Sequence, residues 1–143
     1  MPDSATHEER AKRNIEFLKS FYPSKKHPDW TVTVCFYTAV HIIERAIYAS
    51  AGTLKFKRKS ITALHSDDLQ YPVGRHEKRR LIVIENFSEI SRPYTKLYSQ
   101  SKTARYLKFE IPHERIGPLS IDPLNQIIEW SNNNFGTTFP FDL

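Results

Sequence analysis

Residues 29–52 read DWTVTVCFYTAVHIIERAIYASAG, and their reading decides the fold. The segment TVTVCFY taken alone suits a strand, because β-branched and aromatic residues fit a pleated surface. The length of the whole stretch and its alanines argue instead for a helix from Trp30 to about Ala51. Asp29 is expected as its N-cap, and Gly52 is expected to close it in a left-handed conformation. Val32, Val34, Cys35, Phe36, Val40, Ile42, Ile43, Ala46 and Ile47 cover most of its circumference, which makes it a central helix with neighbours on several sides. Its polar exceptions form one stripe, with Tyr37, His41, Glu44 and Tyr48 at i, i+4, i+7 and i+11.

The flanking sequence supplies the neighbours. Upstream, Ser4 or Thr6 can cap a helix whose Ala11, Ile15 and Leu18 share one face, and Pro23 stops it. Downstream, residues 53–75 form a long mixed connection with a short helix expected around Ser60–Leu64. Residues 75–90 then predict a third helix with a basic first turn. Ser91 followed by Pro93 signals a restart, and the fourth helix is expected to run to about Leu107. Residues 109–119 are expected to be extended or looped. A last short helix is expected over 122–132, ahead of the irregular tail NNNFGTTFPFDL, whose phenylalanines can pack back onto the bundle. The expected architecture is all-α: one domain, an up-and-down bundle of four to five helices, with a core of about residues 29–108 and an extension after it.

At 143 residues, with 39% hydrophobic and 26% charged content, the chain can bury one core. A mean hydropathy of -0.54 argues against an integral membrane protein. The polar opening MPDSATHEERAKRN contains no apolar leader, so a cytoplasmic location away from membranes is expected. A single cysteine, Cys35, excludes an intramolecular disulfide, and four glycines leave little room for phosphate-binding glycine loops. Charge is unevenly spread. Residues 55–108 carry thirteen Lys/Arg against five Asp/Glu, whereas residues 109–143 carry one against five. Such a basic block either favours a polyanion, RNA or a nucleotide, or is a solvated helical surface.

Cutting RNA through its own 2′-hydroxyl needs a base, an acid and a cation for the charge on phosphorus, and histidine, tyrosine and arginine suffice without metal. His41, His76, Arg79 and Arg105 are the candidate catalytic residues. Tyr37, Glu44, Arg80, Tyr98 and Tyr106 are the candidate ligand contacts. His41 and Glu44 have a second reading, as partners in a polar seam of the core. His76, Lys78, Arg79 and Arg80 open the third helix, where backbone amide donors already attract anions. Neither metal nor cofactor is expected. His41-x2-Glu44 lacks the second carboxylate–histidine pair of a bundle di-metal site, and His65, Asp67 and Asp68 form an acidic loop. Cys35 is expected to be inert packing, and no P-loop, dinucleotide fingerprint or GxSxG motif is present.

Asp29-Trp30, Phe36-Tyr37-x3-His41-x2-Glu44, His76-x2-Arg79, Tyr94-x2-Leu97 and Ser101-x2-Ala104-Arg105-Tyr106, in that order, resemble the HEPN superfamily over roughly residues 29–108. The resemblance implies a small helical bundle directed at RNA. Ribonuclease members carry Arg-x4–6-His at the start of the last core helix, act without metal and build one active site from two copies. This chain departs from that pattern: no histidine lies four to six residues beyond Arg92 or Arg105, and the literal match, Arg58-x6-His65, falls in the long connection. The expectation is therefore an RNA- or nucleotide-binding homodimer, with metal-independent endoribonuclease chemistry as its stronger form. The alternative is a non-catalytic helical module that partners a nucleotidyltransferase, as in toxin–antitoxin pairs of the superfamily.

Overall fold

A computed structural model describes residues 3–106 and 112–140. Among the described residues the fold is all-α, with five helices and one two-stranded hairpin: α1 Ser4–Phe21, α2 Pro28–Ala49, β1 Lys55–Phe56, β2 Lys59–Ser60, α3 Arg75–Asn86, α4 Ser91–Tyr106 and α5 Asp122–Phe135. α2 is the centre and packs on α1, α4 and α5. Among the described residues it is the one helix long and apolar enough to cross a membrane. Most of that stretch is buried by its neighbours, as a central helix requires.

The caps differ from those expected. Asp3, rather than Ser4 or Thr6, caps α1 by accepting from the Thr6 amide at 2.8 Å. α2 begins at Pro28, one residue before the expected Asp29 cap. A proline loses nothing in a first turn whose amides have no helical partner, and Asp29 remains there as an acid beside the positive end of the dipole. α2 ends at Ser50, whose amide returns to Ala46 and Ile47, and Gly52 takes its left-handed φ of 90° in the turn beyond.

The short helix expected at Ser60–Leu64 is absent. Residues 55–60 form the hairpin instead, with Lys57 and Arg58 left-handed in its turn. Side chains of α3 hold it there. The Glu85 carboxylate accepts from the Lys57 and Arg58 amides at 2.7 and 2.9 Å, and Asn86 bonds both the amide and the carbonyl of Lys55 at 2.8 Å. α3 stops at Asn86, short of the expected residue 90, and a 3-10 turn at Ser88–Ile90 leads directly into α4. Pro93 lies in the first turn of α4, as the sequence predicts. Within the expected loop at 109–119, the described part forms the turns His113–Arg115 and Gly117–Ile121, the latter π-helical and entering α5. The tail folds back: Phe139 is buried, and Asn132 bonds its amide and carbonyl at 3.0 and 2.9 Å.

The core is wider than residues 29–108. Ile15 and Leu18 of α1, Ile116, and Leu124, Ile127 and Ile128 of α5 are fully buried beside Phe36, Ile42, Ile43 and Leu97. Ile15→Ala and Ile128→Ala should each lower stability by about 2–5 kcal/mol in urea unfolding, as Ile42→Ala should. Losses below about 1 kcal/mol for the outer two would restrict the core to the expected span.

A candidate anion site at the α2–α3–α4 seam

The stripe of α2 lies along a polar seam, and Glu44 is its anchor. The carboxylate is buried and accepts three hydrogen bonds. Two come from Ser66, through its amide at 3.1 Å and through its hydroxyl, and one comes from Arg79 Nε at 2.9 Å. The Arg79 and Glu44 side chains are 6% and 5% exposed, so the pair sits outside bulk water. Removing either partner would strand a buried charge. The Tyr94 phenol lies beside the same guanidinium, and burial pushes it up to about 12 against the arginine's pull.

Arg79 reaches past Glu44 to His76, with Nη1 3.0 Å from the imidazole Nδ1. A guanidinium can only donate, so Nδ1 holds a lone pair and the proton of neutral His76 is on Nε2. His76 is half-buried against Phe36, Tyr98 and Tyr37, with ring centroids 5.3, 5.8 and 6.1 Å away. Burial, then the fields of Arg79, Arg105 and Arg75, lower it to about 4, with Asp67 opposing. From α4, Arg105 donates to the Tyr37 hydroxyl at 2.8 Å and lies 5.7 and 5.8 Å from the Tyr37 and Phe36 rings.

His41 belongs to a second group. Its Nδ1 lies 3.1 Å from Nδ1 of His7 on α1, so one ring donates and the other accepts. His7 is also 5.3 Å from His65, which lies 5.7 Å from Tyr48. Burial, then His7, Arg10 and Arg79, lower His41 to about 4, and His7 is lowered by burial as well. Both His41 and His76 are therefore neutral at pH 7. No hydrogen bond or ring contact joins them among the described residues.

Tyr37, Tyr98, His76, Arg79 and Arg105 thus meet in one place, while His41 sits in the histidine cluster next along the same stripe. Glu44, a candidate ligand contact, accepts from three protein donors and holds the arginine. Arg79, a candidate catalytic residue, is buried and bonded to Glu44 at one end and His76 at the other. Arg80 is ion-paired with Glu77 one turn back on α3. The Tyr106 side chain is outside the described residues. Arg58 and His65 do not form a pair: Arg58 is exposed in the hairpin turn, whereas His65 is buried beside His7. Asp68 accepts from the amides of Leu64 and His65, both at 3.0 Å, which makes it a turn cap. Among the described residues, no group of three or more His, Cys, Asp or Glu side chains is arranged to hold a metal ion. Burial pushes the Cys35 thiol up, away from reactivity.

Two participants escape the motif reading. His7 has a signal, since it lies four residues before Ala11 and extends the buried Ala11–Ile15–Leu18 stripe by a turn. Ser66 has none. No family model, no curated protein and no solved structure matches this chain.

Arg79→Met should cost about 3–5 kcal/mol in urea unfolding, because it leaves Glu44 buried and unpaired. The double variant Glu44→Leu/Arg79→Met should be the more stable of the two. Equal losses for single and double variants would mean that the charges do not depend on each other.

Proposed function

We propose that this chain is a HEPN-like, RNA-directed protein that grips a backbone phosphate at the His76–Arg105–Tyr37 corner and cleaves RNA without metal. The observation that carries this reading is the convergence of three arginine fields on a neutral, half-buried histidine among aromatic rings. That is an environment poised for an anion. The all-α bundle and the order of the motifs are in keeping with the HEPN arrangement.

In the proposed reaction the 2′-oxygen attacks the adjacent phosphorus and loses its proton to His41, one helical turn along α2 from Tyr37. The bond to the 5′-oxygen breaks, leaving a 2′,3′-cyclic phosphate and a 5′-hydroxyl. His76 Nε2–H and Arg105 stabilise the charge on the phosphoryl oxygens. The Tyr37 hydroxyl accepts from Arg105, which leaves its own hydrogen to protonate the departing 5′-oxygen. Burial is the first cause that lowers both histidines and the arginine fields come after it; a bound phosphate opposes those fields, so the base strengthens when substrate is present.

In EDTA, wild-type protein should degrade mixed RNA to fragments with cyclic phosphate ends. His41→Ala and His76→Ala should each lower the rate by about a hundredfold or more while keeping the fold. Binding should weaken steeply with added salt. Equal degradation by all three proteins would indicate a contaminant, and no degradation with no RNA affinity would contradict the proposal.

A further inference from the structure

At the junction of α1 and α2, remote in sequence from the hairpin and α3, four aromatic rings lie in succession on the surface. Phe17 and Phe21 are stacked, with centroids 4.9 Å apart and planes 17° from parallel. His27 follows Phe21 at 6.4 Å and 13°, and Trp30 follows His27 at 6.3 Å and 46°. Trp30 is 61% exposed and Phe17 is 39% exposed, the two ends of the row. Large apolar rings left in water mark contact surfaces. The loop between Phe21 and Trp30 carries Lys25 and Lys26, both exposed, and Lys19 lies on the preceding turn of α1. Glu16 and Asp29 are the nearby acids in the chain, so the segment is net positive. Lys25 and His27 hold left-handed backbones, φ 60° and 47°, in a loop where glycine would be unstrained. Such strain in non-glycine residues clusters where side chains must be aimed.

We infer that the Phe17–Phe21–His27–Trp30 row is a stacking platform for the unpaired bases of single-stranded RNA, with Lys19, Lys25 and Lys26 holding its phosphates. This rests on the RNA-directed reading above and assigns to it a second contact surface. The inner faces of the row are taken up by its own stacking, so bases are received at its exposed ends, Phe17 and Trp30, beside the lysines, and stacking tolerates any base. A protein partner has no need of the lysines. Position also favours the platform. Trp30 and Tyr37 are seven residues apart on α2, hence on one face and about 10.5 Å apart along the axis. A strand whose phosphate is gripped at Tyr37 and Arg105 can therefore lay a neighbouring nucleotide on Trp30.

The test uses the whole chain and 2′-O-methyl oligonucleotides, which lack the attacking hydroxyl. Fluorescence anisotropy of a labelled single-stranded 2′-O-methyl adenylate 12-mer should show saturable binding. A duplex of equal length and an abasic strand should bind more weakly. The double variant Phe17→Ala/Trp30→Ala should bind the single strand at least about tenfold more weakly, with unchanged circular dichroism. Lys25→Ala/Lys26→Ala should reduce the salt dependence of binding. Quenching of Trp30 by the strand, read in a Trp130→Phe background, should follow the same curve. Affinity within twofold of wild type in the aromatic variant, while Arg105→Gln abolishes binding, would overturn the platform and leave the RNA-directed reading standing. No binding by wild type at low salt would overturn both. Conversion of a dimer to a monomer by Phe17→Ala/Trp30→Ala, with RNA affinity unchanged, would assign the row to contact between copies and overturn the inference.

Discussion

The buried pair of Glu44 and Arg79 is the constraint on which the rest of the seam depends. It joins three segments of the chain: α2 through Glu44, a turn within the long connection through Ser66, and α3 through Arg79. A carboxylate and a guanidinium removed from water are held at a cost unless every donor and acceptor is matched. Here the carboxylate is matched by two donors from Ser66 and one from Arg79. The guanidinium is matched in turn by Glu44 and His76. The same contact that closes the bundle therefore fixes the orientation and the tautomer of the histidine on its rim.

Electrostatics follow from that arrangement. His76 is kept neutral by burial first and by the fields of Arg79, Arg105 and Arg75 second. His41 is lowered by burial and by its histidine neighbour. Both imidazoles are thereby kept neutral at pH 7. On the proposed reading a bound phosphate opposes the arginine fields and makes the histidines more basic in the same step. Coupling of this kind links ligand binding to protonation.

Much of the fold is legible in the residues. The apolar circumference of α2 identifies the central helix, and the proline restart at Pro93 separates α3 from α4. What periodicity misses is long-range capping. The hairpin at Lys55–Ser60 exists because Glu85 and Asn86, some thirty positions away, satisfy its amides, and no local pattern encodes that. The i, i+4, i+7 stripe of Tyr37, His41 and Glu44 correctly names a polar seam. It cannot say what each member touches, because that depends on partners such as Ser66 and His7 from other elements. His7 was accessible in principle as an extension of the α1 stripe, whereas Ser66 becomes recognisable only once the turn is folded over Glu44.

The most direct measurement is a pH series of long-range nitrogen–proton spectra on protein labelled with nitrogen-15 in its histidines. If Glu44 holds Arg79 against His76, His76 at pH 7 is neutral with its proton on Nε2, and it protonates only near pH 4. A proton on Nδ1, or titration near the ordinary 6.5, would contradict the account.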